Sequence, residues 1–202
     1  MGDSDVDHFG AASALPADLP RPVDDGAAEG LEGRAVPRVR LVGSDGRLVD
    51  LAEAANGTLV LYVYARTGVP GESIPPEWDA IPGARGCTPE SCAFRDLAGE
   101  FASFGAILYG VGAQAAEEQR AFAERHRLPF PLLNDGELAL ADVLGLPTFE
   151  FGGRRFYRRL TLVARSGRIE KVFYPVFPPD THADEVLGWL RLRGETEQRA
   201  QS

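Results

Sequence analysis

Cysteine is nearly absent from this chain of 202 residues: there are two, Cys87 and Cys92, and the three histidines lie elsewhere in the sequence. That excludes a disulfide-stapled scaffold and is a poor start for a zinc centre. Lys171 is the single lysine, and no basic stripe marks a nucleic-acid surface. No apolar run is long enough to cross a bilayer, so neither nucleic acid nor membrane is an expected partner. The first ten residues, MGDSDVDHFG, lack the basic and apolar stretches of a secretory signal, which makes the cytoplasm the expected compartment.

What is present suits one globular domain with a sizeable core, at 44% hydrophobic residues. The formal net charge is −9, and its distribution is uneven. Residues 1–32 hold eight acids and one arginine, leaving only −2 for the rest. Their Ala, Gly, Pro and Asp content predicts a disordered acidic tail over 1–32, a folded domain over 33–194 and a flexible end over 195–202.

Residues 35–54 alternate apolar and polar side chains around Ser44, Asp45 and Gly46, which predicts a β-hairpin running into a short helical turn. TLVLYVYA (58–65) and AILYGVGA (106–113) are continuous apolar runs, as in strands buried on both faces. Between them, residues 66–86 form a Gly- and Pro-rich loop too long for a neutral connector. A helix follows, with Thr88 as its expected N-cap and Pro89 at its first position. Phe94, Leu97, Ala98, Phe101 and Phe104 recur on one helical stripe. Later come a helix with early acids and late bases, a short strand, a further helical stretch, strands turning at Gly152-Gly153 and Ser166-Gly167, and a closing amphipathic helix. This order predicts an α/β, thioredoxin-like fold: a mixed sheet flanked by helices, with an extra hairpin in front.

The two cysteines sit at the first strand-to-helix junction, where open α/β sheets place their sites. A thiol becomes nucleophilic when its thiolate is stabilised by a helix N-terminus and by cations. Cys87 sits at the corner made by Gly86 and Thr88, and Arg85, Arg95 or an arginine from elsewhere can supply the charge. The alternative is a small buried hydrophobe. Cys92 lies five residues on. In an intact helix, residues five apart are turned by ~140° and separated by ~7.5 Å along the axis. A disulfide needs Cα atoms within ~7 Å and facing Cβ vectors, so the pair can bond only if the helix start unwinds. That spacing suits a switch through a sulfenic acid; mere packing is the alternative for Cys92.

The segment GCTPESCAFRD resembles the active site of the peroxiredoxins, in particular the Q-type, bacterioferritin-comigratory-protein-like group with its GCT-x-x-x-C-x-x-RD pattern. The similarity runs from about Val39 to Leu192 and includes LYVYARTGVPG and RRLTLVARSGRIEKVFYP. It implies a thioredoxin-like fold and a thiol peroxidase acting on hydrogen peroxide or organic hydroperoxides, with no cofactor. Cys87 would be the peroxidatic thiolate, Cys92 the resolving residue, and Arg159 the arginine that stabilises thiolate and departing oxygen. A thioredoxin-like or other dithiol reductant would be the partner, and the chain a monomer or weak dimer. The family places a hydroxyl three residues before the peroxidatic cysteine and a proline four residues before that; here those positions are Ala84 and Ala80. Thr67, Thr88 or a backbone N–H is expected to replace that hydroxyl.

Other residues are read more plainly. His126 and His182 are expected to cap helices or lie on the surface, and Trp78 either anchors a lid or packs the loop. Pro147, in GLPT, would favour disulfide exchange if it were cis beside Cys87. Two rival functions remain: a thiol–disulfide oxidoreductase, which normally carries Cys-x2-Cys, and a redox-sensing binding module.

Overall fold

The structure, a computed structural model, describes Leu15 and residues 18–200, without the side chains of residues 197, 198 and 200. The first part of the acidic tail lies outside the described residues. The expected hairpin forms as β1 (Arg40–Gly43) and β2 (Leu48–Asp50), and Asp50 caps the short α1 (Leu51–Ala54) through its side chain. Then come β3 (Thr58–Val63), α2 (Pro76–Asp79), α3 (Cys87–Asp96), α4 (Ala98–Ser103), β4 (Ala106–Gly112) and α5 (Ala116–His126). The rest is β5 (Leu132–Asn134), α6 (Ala139–Leu144), β6 (Thr148–Phe151), β7 (Arg154–Tyr157), β8 (Leu160–Arg165), β9 (Arg168–Phe173) and α7 (His182–Ala200).

Seven strands make one mixed sheet in the order β2-β1-β5-β4-β3-β8-β9, and β6 with β7 forms a separate ribbon. The parallel pairs β3–β4 and β4–β5 sit at the centre, with antiparallel neighbours outside them. Successive side chains on a strand point to opposite faces. Along β3, Val60 and Tyr62 therefore join one core with Phe94, Phe101, Phe122 and Leu187, while Leu59, Leu61 and Val63 join a second with Leu51, Leu140 and Leu144. Both faces are covered, which is why the run reads as continuously apolar. β4 carries Gly110 where a Cβ would come within 2.5 Å of the Tyr62 ring, so the aromatic packing requires the glycine.

Four sequence expectations are corrected. Gly86, not Thr88, is the N-cap of α3, and Pro89 is the third helical residue, still within the first turn where its missing N–H costs nothing. The apolar stripe spans two helices, because the chain breaks at Leu97 between α3 and α4. The tail does not extend to residue 32: Leu31 is buried in the second core, Tyr174 donates to Asp25, and Lys171 and the Val172 N–H donate to Glu32. A buried leucine anchors this stretch despite its acidic composition. Nor is 195–200 a loose end, since α7 continues through it.

Candidate active site

The end of β3, the start of α3 and the start of β8 converge on one sulfur. Gly86 brings the chain into α3 with φ of +103°, a conformation that favours glycine, and a Cβ there would lie 2.4 Å from Pro179. Cys87 is thus the first helical residue, 2% exposed and a free thiol. Arg159, the residue before β8, is also buried, and its Nη2 donates to Cys87 Sγ at 3.2 Å. The same nitrogen donates to the carbonyls of Arg85 at 3.0 Å and Gly83 at 3.3 Å, while Nη1 pairs with Glu90. Burial works against the Arg159 charge, but the neighbouring sulfur and carboxylate more than compensate and raise its pKa. Arginine stays charged here and presents its donors in a fixed fork.

The hydroxyl expected at Ala84 is replaced by backbone. The N–H of Arg66 donates to Cys87 Sγ at 3.3 Å, and the Cys87 thiol reaches the Ala84 carbonyl at 3.7 Å. Thr67 and Thr88 do not fill the gap: the Thr67 hydroxyl donates to Gln114 at 2.8 Å, and that of Thr88 accepts from the Gly68 N–H at 3.2 Å. Both hold the loop that presents Arg66. Arg85 and Arg95 are not the cations beside Cys87 either; Arg85 pairs with Asp79, and Arg95 pairs with Asp96 next to Cys92.

Glu90 is a functional candidate that the sequence pattern did not single out. It is completely buried one turn below Cys87, and burial pushes its carboxyl up to about 7, with Arg159 opposing. Its three-residue spacing from Cys87, which puts the two on one helix face, was the available signal.

Cys92 is buried on the same helix and is also a free thiol. His126, expected at the surface or capping a helix, is half-buried with Nδ1 3.7 Å from Cys92 Sγ. His182 is more thoroughly misplaced by the sequence reading: it is 2% exposed, between Thr161 and Glu185. Trp78 is buried by α2 against Phe149, Phe151 and Phe156 of the β6–β7 ribbon. A cleft beside it is lined by Arg66, Thr67, Ile74, Phe151 and Phe156 and so adjoins the Cys87 amide donor. Among the described residues the cis bonds precede Pro175 and Pro178; Pro147 is trans. No helix among them is long and apolar enough to cross a membrane.

Comparison with known proteins agrees with this geometry. The Redoxin family model matches residues 31–187. The chain is 30% identical to the chloroplastic peroxiredoxin Q of Gentiana triflora, over 87% of this chain and 76% of that protein. The corresponding protein of Sedum lineare is also 30% identical, over 79% and 77%. The chain belongs to the Q-type peroxiredoxins. Among solved structures, the peroxidoxin BcpB of Mycobacterium tuberculosis superimposes with a TM-score of 0.65 at 30% identity, covering 80% of this chain and 96% of that one. The bacterioferritin comigratory protein of Xanthomonas campestris, whose structures concern alkyl peroxide reduction, gives 0.64 at 25%, covering 81% and 98%. This peroxiredoxin has the family's thioredoxin-like fold and is a thiol peroxidase, reducing peroxide at the expense of a thiol.

Proposed function

We propose that Cys87 is the peroxidatic residue and Cys92 the resolving one, in an atypical two-cysteine cycle confined to one chain. The observation that carries this reading is the 3.2 Å contact between Cys87 Sγ and the buried Arg159 guanidinium. A fixed cation beside sulfur stabilises the thiolate and then the oxygen that leaves it. The thiolate attacks one peroxide oxygen; the S–O bond forms, the O–O bond breaks, and the departing alkoxide or hydroxide takes up a proton from water. Cys87 is left as a sulfenic acid. The first turn of α3 then unwinds so that Cys92 can attack the sulfenic sulfur, forming the disulfide and releasing water. A thioredoxin-like dithiol returns both thiols by exchange.

The cleft under Trp78 supports organic hydroperoxides as substrates alongside hydrogen peroxide. Its aromatic wall offers an apolar group a place to lie while the peroxide reaches Cys87. The alkyl peroxide chemistry named for the Xanthomonas relative agrees with this assignment. We assign the working unit as a monomer or weak dimer, because both cysteines lie in one helix and the cycle needs no second chain.

The test is peroxide consumption with a thioredoxin system, using the wild type, Cys87→Ser and Cys92→Ser. Cys87→Ser should abolish turnover, and Cys92→Ser should accumulate a sulfenic acid on Cys87 that mass spectrometry detects after trapping. Turnover that persists in Cys87→Ser rejects the assignment. Dithiol-dependent reduction of disulfides without peroxide consumption would favour the oxidoreductase instead.

A further inference from the structure

His126 ends α5 and faces Cys92 across the helix interface, with Nδ1 3.7 Å from Sγ. Its other ring nitrogen, Nε2, is approached at 3.4 Å by Nε of Arg125. A guanidinium can only donate, so Nε2 must supply the lone pair. In the neutral ring the proton therefore resides on Nδ1, and Nδ1–H points at the Cys92 sulfur. Arg125 is itself held by the Gly68 carbonyl at 3.0 Å, in the loop that follows β3.

The same turn of α3 is pinned a second time, since Nη1 of Arg95 donates to the His126 carbonyl at 3.1 Å. The ring rests on Phe122, with centroids 4.4 Å apart. Cys92 is thus anchored on α5, an element outside the helix start that must open. We propose that His126 is the hydrogen-bond donor that holds Cys92 in place and stabilises its thiolate for attack on oxidised Cys87, a role that rests on reading Cys92 as the resolving residue.

The charges around the pair fit that task. Burial, then Arg125 and Arg95, hold the His126 pKa below its ordinary value, so the ring is a neutral donor near pH 7. Burial pushes the Cys92 thiol up; Arg95 opposes this and Asp96 adds to it. An N–H donor aimed at sulfur offsets part of that burial. In the resolving step the Cys92 thiol yields its proton to water and its thiolate attacks the sulfenic sulfur. The S–S bond forms as the S–O bond breaks, and hydroxide leaves to be protonated to water. No outside oxidant or reductant enters.

The experiment measures Cys92 directly. In a Cys87→Ser background Cys92 is the only cysteine, and a 13C-labelled Cβ reports its titration by NMR. His126→Phe keeps the ring and removes the donor; His126→Gln keeps an N–H. A charged hydrogen bond of ordinary strength predicts that His126→Phe lowers the Cys92 thiolate fraction near pH 7 by about tenfold. With both cysteines restored, disulfide formation after peroxide should slow by a similar factor at pH 7 and approach the wild-type rate at alkaline pH. His126→Gln should recover most of the loss. An unmoved Cys92 titration in His126→Phe, or equal behaviour of the Phe and Gln variants, overturns the inference. If the wild type forms no Cys87–Cys92 disulfide, the resolving assignment fails instead, and the titration still decides whether His126 supports the Cys92 thiolate.

Discussion

Arg159 and Cys87 lie 72 positions apart in sequence, yet Nη2 of one donates to Sγ of the other at 3.2 Å with both side chains buried. The contact is fixed from three sides. Glu90 holds the second guanidinium nitrogen, and the carbonyls of Gly83 and Arg85 hold the first. The cation cannot swing away when a peroxide enters. Removing one such preorganised donor typically costs 10²–10³ in rate. Arg159→Ala should lose roughly that much in second-order peroxide reduction, and Arg159→Lys most of it, because lysine lacks the planar fork. Stopped-flow oxidation of Cys87 measures both; rates within threefold of wild type would contradict the assignment.

Gly86→Ala should damage the site without touching its chemistry. The position has φ of +103°, and an added Cβ would meet Pro179 at 2.4 Å. A misplaced helix start should lower stability by about 1–3 kcal/mol and displace Cys87 from Arg159. Denaturant unfolding and the peroxide rate should fall together.

Two buried groups make stability pH-dependent in opposite senses. Burial, then Arg159, lowers the His182 pKa to about 3. Its Nδ1–H donates to Glu185 at 3.2 Å, and Nε2 accepts from the Thr161 hydroxyl at 2.8 Å. The unfolded chain takes up that proton near 6.5, so the contribution is present above that pH and is lost as pH falls towards 3. Glu90, raised to about 7, does the reverse: the fold gains stability as pH drops from 7 towards 4.5. Each effect is on the order of 1 kcal/mol per pH unit within its window. Unfolding free energies at pH 4.5–7 should therefore fall less steeply on acidification in His182→Asn than in wild type. They should fall more steeply in Glu90→Gln.

Trp78→Ala empties the aromatic cluster that α2 forms with Phe149, Phe151 and Phe156. Truncating a buried tryptophan costs about 3–5 kcal/mol. Its effect on catalysis should be selective: KM for an aryl hydroperoxide should rise several-fold more than KM for hydrogen peroxide. An equal rise for both substrates would argue against the cleft as the apolar subsite.

Thr67→Val and Thr88→Val should leave the rate of Cys87 oxidation within about threefold of wild type and lower stability by about 1 kcal/mol each, the worth of an ordinary hydrogen bond. Their hydroxyls serve Gln114 and the Gly68 amide rather than the sulfur.

Local pattern made much of the fold legible. The hairpin turn at Ser44, Asp45 and Gly46, the doubly buried β3, the strand β4 (buried at its C-terminal half but exposed at Ile107), and the turns at Gly152-Gly153 and Ser166-Gly167 stand where periodicity and turn residues place them. Cys87 and Arg159 were nameable because a motif and a family pattern carry them. Misreadings fell where burial depends on distant chain. His182 looks like a helix-end histidine until Phe94 and Phe173 enclose it, and Leu31 looks like tail until the second core takes it in.

By itself, the sequence determined the order of the main strands and helices, though not α2 or the break between α3 and α4, together with the placement of both thiols in one helix and the separation that prevents their bonding while that helix is intact. These follow from chain geometry, which is local. Only the tertiary structure decided which groups face each sulfur. The Arg66 amide supplies what Ala84 cannot, Glu90 becomes the partner of Arg159, and His126 comes to Cys92 from α5. Those contacts join residues from 21 to 69 positions apart. No local preference encodes them; they arise because covering both faces of one sheet forces the ends of β3, α3, α5 and β8 together.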